Sequence, residues 1–117
     1  MRLGFVFRSY PHSSAKGREG LDALLAASAY CDDIDVFFIG AGITQLLKEQ
    51  HPSNILSRDY IAAFKLLELY DIENVFVCQS SLLDYQITPE NLLIETTLLS
   101  HQEIAKKLQH CHKIMTF

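Results

Sequence analysis

The 117-residue sequence has no tryptophan and only three cysteines, which limits the kinds of site it can form. Cys31, Cys78 and Cys111 cannot all pair within one chain and show no CxxC spacing, so neither a disulfide framework nor a zinc ribbon is predicted. Free thiols are typical of the reducing cytoplasm, where we expect this protein to reside.

Long apolar runs are also missing. The longest, such as Phe5 to Phe7 and Val36 to Ile39, are far shorter than the roughly 20 residues that cross a bilayer. The first residues contain neither an extended apolar region nor a small-residue cleavage site. We therefore expect no membrane partner and no export signal.

Positive charge is scarce. Ten Lys and Arg residues are outnumbered by fourteen Asp and Glu, which gives a net charge of -4, and no basic stripe is visible along the sequence. Such a stripe is what neutralises phosphates in a nucleic-acid groove. Direct binding of nucleic acid is therefore not expected.

What is present predicts a single α/β domain over residues 1–117. Leu3 to Phe7 and Ile34 to Ile39 are apolar runs that are typical of strands buried on both faces. Lys16 to Tyr30, between them, has leucines and alanines at helical spacing. A strand, a helix and a strand in fewer than forty residues form a βαβ unit, which favours parallel pairing.

The rest of the chain continues this alternation. Further helices are predicted at Ile43 to Glu49, Arg58 to Tyr70 (after the cap Ser57), Gln79 to Tyr85 and Ser100 to Gln109, and further strands at Val75 to Cys78, Leu92 to Thr96 and Lys113 to Phe117. This order predicts a three-layer α/β/α sandwich around a mainly parallel five-stranded sheet, of flavodoxin-like kind. The order of the strands within the sheet stays open.

In parallel sheets, reactive groups gather beyond the carboxyl ends of the strands. The segments expected there are residues 8–14, 40–44, 78–81 and 96–100. The first, RSYPHSSAKG, is neither GxGxxG nor a P-loop, so no nucleotide cofactor is expected. Cys78 could be a thiolate at a helix N-terminus or simply a small buried hydrophobe. His12 could be a base at the same edge or only a turn residue.

Two other groups of polar residues invite a functional interpretation. His110, Cys111 and His112 look like a metal tract, but adjacent residues point in different directions, so no metal site is predicted. Asp32, Asp33 and Asp35 precede or enter the second strand at the amino end of the sheet, and we expect them to form a solvated turn.

The predicted helix from Arg58 to Tyr70 is apolar over most of its circumference. One face of a small sheet cannot cover so wide an arc, which favours a subunit interface. The expected interface residues are Tyr60, Phe64, Leu67 and Tyr70.

Two long stretches, FVFRSYPHSSAKGREGLDALLAASAYCDDIDVFFI and RDYIAAFKLLELYDIENVFVC, resemble the TusC-like (DsrF-like) branch of the DsrE/DsrF family. The resemblance covers nearly the whole chain. It implies an α/β/α subunit that assembles with TusB-like and TusD-like subunits into a dimer of heterotrimers. That assembly passes persulfide sulfur from a TusA-like donor to a TusE-like acceptor for 2-thiolation of the tRNA wobble uridine.

The resemblance also bears on the candidate residues. In the family, the persulfide cysteine belongs to the TusD or DsrE subunit, and Cys78 matches its position here. Family members often have Pro-His-Gly after the first strand, whereas this chain has Pro11, His12 and Ser13.

Three functions follow. The first is an accessory subunit, itself not an enzyme, that positions a sulfur-carrying neighbour. The second is a persulfide carrier acting through Cys78, in tRNA thiolation or in DsrEFH-type sulfur oxidation. The third is an independent flavodoxin-like ligand-binding protein.

Overall fold

A computed structural model describes residues 1–10, 15–47 and 63–117 of the chain. Its five strands form one sheet in the order β4-β3-β2-β1-β5, with every neighbouring pair parallel. The strands are β1 (Leu3–Phe7), β2 (Ile34–Phe38), β3 (Val75–Cys78), β4 (Thr97–Leu99) and β5 (Lys113–Thr116). The predicted parallel five-stranded sheet is confirmed. Its strand order differs from the 2-1-3-4-5 order of flavodoxin.

Within the described residues, four α-helices and three short 3-10 segments connect the strands. The helices are α1 (Lys16–Ala27), α2 (Leu66–Leu69), α3 (Gln79–Asp84) and α4 (His101–Gln109). The 3-10 segments are Gly40–Leu46, Ala63–Lys65 and Pro89–Asn91. No helix in the described ranges is long and apolar enough to cross a membrane.

The three central strands β1, β2 and β3 are buried on both faces because helices cover both faces, as the continuous apolar runs predict. Phe5 and Phe7 of β1 face a large cluster that includes side chains of α1 and α3, whereas Val6 faces a smaller cluster with Ile104 of α4. These two clusters, here called the α1-side core and the α4-side core, make the predicted three layers.

Helix α4 begins where the sequence predicts. The Ser100 hydroxyl accepts from the backbone N–H of Glu103 at 3.2 Å, and the Glu103 carboxylate accepts from the backbone N–H of Ser100 at 3.1 Å. This capping box satisfies two N–H groups that the helix leaves without partners.

The fourth strand was predicted at Leu92 to Thr96, and this prediction is wrong: β4 lies at Thr97–Leu99. Leu92 and Ile94 are buried in the α1-side core, which explains their apolar spacing, but they reach it from an irregular segment. Leu92 forms an isolated antiparallel bridge with Leu47, so the backbone there pairs with the end of a 3-10 segment instead of the sheet.

Other predicted helices also differ from the structure. The helix predicted from Ile43 to Glu49 is, in its described part, the 3-10 segment Gly40–Leu46. The first predicted helix ends at Ala27 and not at Tyr30. Of the helix predicted from Arg58 to Tyr70, the described part is a 3-10 turn followed by the short helix α2. Its predicted cap, Ser57, and its first residues lie outside the described ranges.

Candidate functional site

Because all five strands are parallel, the segments that follow β1, β2, β3 and β4 meet at one edge of the sheet. Direct contacts join them. The backbone N–H of Gly40 donates to the Ser81 hydroxyl at 2.8 Å, which connects the segments after β2 and β3. The side-chain amide of Gln45, which is fully buried, donates to the carbonyl of Ser9 at 2.8 Å. The expected carboxyl edge is therefore present and held together by its own side chains.

The turn after β2 needs two glycines for different reasons. Gly40 has a φ of +56°, a conformation that side chains with a Cβ rarely adopt. Gly42 lies so close to β1 that a Cβ would overlap the carbonyl group of Phe7. The 3-10 segment can press against the end of β1 only with glycine at position 42.

Two tyrosines bridge the outer part of this edge. The hydroxyls of Tyr10 and Tyr85 are 3.1 Å apart, and their rings meet edge to face with centroids 6.2 Å apart. The hydrogen bond with Tyr10, together with partial burial and the charge of Asp84, raises the pKa of Tyr85. The Tyr85 hydroxyl therefore stays protonated near neutral pH, and the pair connects the segment after β1 to the end of α3.

Cys78, the candidate persulfide residue, is the last residue of β3, and its side chain is buried. It is 3% exposed and belongs to the α4-side core with Val6, Phe37, Leu99 and Ile104. Its thiol thus packs among apolar side chains beneath α4. His12, the other candidate, lies outside the described ranges.

Helix α3 begins directly after Cys78, which occupies the N-cap position without forming a side-chain cap hydrogen bond. This helix has only six residues, and its first residues are Gln79, Ser80 and Ser81. No cationic side chain precedes or follows the thiol in this segment. Reactive cysteines usually have an electropositive and partly exposed environment, so Cys78 has the surroundings of a core cysteine.

The side chains of Cys111 and His112 contact different parts of the chain, as expected for adjacent residues. The Nδ1 atom of His112 accepts from the backbone N–H of Arg2 at 2.9 Å, while the Cys111 thiol lies 3.6 Å from the carbonyl of Lys107. Burial, with a contribution from the charge of Asp35, raises the pKa of Cys111 and keeps it a thiol. Within the described residues, no group of three or more His, Cys, Asp or Glu could hold a metal ion.

The expectation that Asp32, Asp33 and Asp35 form a solvated turn is wrong for Asp35, which is buried. Its Oδ1 accepts from the Arg2 guanidinium at 2.8 Å and from the Asn74 side-chain amide at 3.1 Å. Sequence reasoning missed this network, although a single carboxylate inside the apolar run IDVFFI was a signal for it. Buried carboxylates require such partners.

The structure describes three of the four expected interface residues, and their side chains differ in exposure. Phe64 and Leu67 are 0% and 1% exposed in the α1-side core, so their side chains are covered within this chain. Tyr70, at the end of α2, is 50% exposed. Tyr60 lies outside the described ranges. Part of the apolar arc of this segment is therefore buried in the core of the chain itself.

Comparisons with known proteins agree with this architecture. The chain is 60% identical to the "Protein TusC homolog" of Aliivibrio fischeri over 116 residues, covering 99% of this chain and 98% of that protein. It is 48% identical to "Protein TusC" of Escherichia coli O127:H6 over 117 residues, with the same coverage. The fold matches the crystal structure of the ychN protein from E. coli with a TM-score of 0.82 at 18% identity, covering 100% and 99% of the two chains.

A family model provides the assignment. The DsrE/DsrF-like family model matches residues 1–117, a range that includes all the strands and helices described above. The chain therefore belongs to the DsrE/DsrF-like family.

Proposed function

We propose that this chain is an accessory subunit of a cytoplasmic sulfur-relay complex that supports 2-thiolation of the tRNA wobble uridine. Its neighbours are TusB-like and TusD-like subunits in a dimer of heterotrimers, fed by a TusA-like donor and discharged by a TusE-like acceptor. The TusC names of its relatives support the sulfur-relay role.

The burial of Cys78 is the observation that carries the accessory role. A persulfide carrier first attacks the donor's persulfide with its own thiolate. The acceptor's thiolate then attacks the terminal sulfur of the carrier's persulfide, so the carrier's sulfur must be accessible in both transfers. At 3% exposure, beside Leu99 of β4 and in one cluster with Ile104 of α4, Cys78 could take part only if α4 moved away from the sheet. The terminal sulfur of a persulfide would also need space within a packed core.

The contact with other subunits is assigned to the surface around Tyr70. Its side chain is half exposed, and two further large apolar side chains, Tyr30 and Leu69, are 93% and 77% exposed. Isolated exposed apolar residues are ordinary, but Tyr is enriched in the buried centres of interfaces. A partner that covers Tyr70 would not disturb Phe64 and Leu67, which are buried in the α1-side core.

The test replaces Cys78 by Ala and, separately, by Ser in cells that lack the wild-type chain. We expect 2-thiouridine in tRNA to stay near the wild-type level in both variants, because the thiol only fills space. The matched control is the corresponding cysteine of the TusD-like partner, whose replacement should abolish 2-thiouridine.

Native mass spectrometry of the co-expressed complex separates folding from chemistry. If Cys78→Ala abolishes thiolation while the complex still assembles, this chain is itself a sulfur carrier and the accessory role is wrong. If thiolation is lost only together with assembly, the packing of Cys78 is what matters, and the accessory role stands.

A further inference from the structure

Four of the ten basic residues of this acidic protein lie in one part of the fold. Residues 101–113 carry Lys106, Lys107 and Lys113 against a single acidic residue, Glu103. Arg2 joins them because β5 lies beside β1, where the backbone N–H of His112 donates to the Arg2 carbonyl at 2.8 Å. The C-terminal end of a helix favours cations, which accounts for the lysines of α4 but not for Arg2.

A cavity of about 280 Å³ opens between these residues at the amino end of β2 and β3. It is lined by Arg2, Asp35, Asn74, Phe76, Lys107 and His110. The only carboxylate among them, Asp35, already accepts hydrogen bonds from Arg2 and Asn74. Arg2 and Asp35 therefore neutralise each other, and Lys107 leaves the lining with one positive charge in excess.

The cations are held in place but not fully paired. The Lys107 ammonium lies 4.7 Å from the centre of the Phe76 ring, and among the described residues it forms no ion pair within 4 Å. The second guanidinium nitrogen of Arg2 is 3.7 Å from the exposed carboxylate of Asp33, which is a loose contact. A second carboxylate could replace that contact and reach Lys107 as well.

We propose that this cavity is a docking site for an acidic segment of a partner protein, with one Glu or Asp side chain entering between Arg2 and Lys107. Its volume lies below the range of about 300–1,000 Å³ that small-molecule pockets occupy. The charge of its walls complements a carboxylate. RNA fits less well, because the one aromatic ring of the lining, Phe76, is buried beneath Lys107 and cannot stack on a base.

The proposal does not depend on the sulfur-relay function and can be tested on the full chain alone. The probe is an acetylated hexaglutamate peptide, with hexaglutamine as the uncharged control, titrated at low salt into isotope-labelled protein and followed by NMR. We expect the amide signals of Arg2, Asn74, Lys107 and His110 to shift with hexaglutamate and not with hexaglutamine.

Charge variants locate the site. Lys107→Met keeps an apolar chain over Phe76 and should weaken binding about threefold, which corresponds to the free energy that a partly exposed ion pair contributes. Lys107→Glu also reverses the charge and should weaken binding about tenfold. Lys65→Glu makes the same charge change at an exposed position of the α1 side and should alter the affinity less than twofold.

Three results would overturn the proposal. Equal losses in Lys107→Glu and Lys65→Glu would mean that only net charge matters. Free glutamate binding as tightly as the peptide would make the cavity a small-anion site. Tighter binding of a twelve-nucleotide single-stranded RNA at the same residues would make it a nucleic-acid surface.

Discussion

Phe64 is the residue at which burial within the chain and contact with a partner predict opposite results. Its side chain is fully buried, and its ring meets those of Phe7 and Phe38 edge to face, with centroids 5.6 and 5.5 Å away. Replacing it by Ala removes these contacts and leaves a cavity. The expected loss is about 3–5 kcal/mol in the free energy of unfolding of the isolated chain.

The loss is large compared with the total stability of a domain, which is about 5–15 kcal/mol. Urea denaturation followed by far-ultraviolet circular dichroism measures it directly, and the method suits a chain without tryptophan. With an m-value of about 2 kcal/mol/M, the unfolding midpoint should fall by roughly 2 M. The control is Tyr70→Ala: this half-exposed side chain should cost less than about 0.5 kcal/mol in the isolated chain yet weaken assembly with partners.

An unchanged urea midpoint in Phe64→Ala, combined with loss of the hetero-oligomer, would refute this reasoning. Phe64 would then be an interface residue, and its burial in the isolated chain would not describe the protein in solution. A large loss of stability in Tyr70→Ala would likewise contradict the division between core and surface in this part of the chain.

Two further substitutions test the local geometry. Gly42→Ala should prevent folding or cost several kcal/mol, because the new Cβ overlaps the backbone of Phe7. Gly40→Ala meets open space and should cost only about 1–2 kcal/mol, because its backbone is left-handed. Thermal melts compare the two variants, and equal losses of stability would contradict the close approach at Gly42. The pKa of Glu103 is lowered by hydrogen bonds from Ser100, first from its backbone N–H, and by the nearby Lys106 and Lys107. The Glu103 carboxylate therefore stabilises the fold at pH values above the pKa that Glu103 has in the unfolded chain. This stabilisation is lost as the pH falls through the lowered pKa of the folded chain. Ser100→Ala keeps the backbone N–H and removes only the hydroxyl, so it should raise the Glu103 pKa part of the way toward its ordinary value in an NMR titration and destabilise the chain by about 1 kcal/mol. Wild-type stability in this variant would show that the Ser100 hydroxyl does not cap the helix in solution.

The order of strands and helices follows from the sequence wherever periodicity and burial agree. The runs at Leu3 to Phe7 and Val75 to Cys78 are buried on both faces, so no other element fits them. At Leu92 and Ile94 burial occurs without strand pairing, and a pattern that reports only burial cannot distinguish the two. Strand order depends on which chain segments meet across the sheet, which local periodicity does not encode.

The candidate site was predictable in place but not in detail. Parallel strands fix which segments share the carboxyl edge, and this placed Cys78 correctly at the end of β3. The direction of its side chain depends on the pleat, since alternate residues of a strand face opposite layers. Phe76 and Cys78 face α4, whereas Val77 faces the α1 side. The contacts of Arg2 with Asp35 and His112 join residues far apart in the sequence, so no local pattern reveals them.

The position of β5 beside β1 has a consequence for how the chain folds. β1 and β2 can pair once 38 residues are available, but β1 and β5 close a loop of about 110 residues, as the bond between Arg2 and His112 shows. Closing so long a loop has a high entropic cost, which is offset only when β1 and β5 form their contacts late in folding. Until that step, the outer edge of β1, a strand of LGFVF, has unpaired backbone groups beside apolar side chains. Such an edge promotes aggregation, and Lys113 at the start of β5 adds a charge to the late-pairing end of the chain.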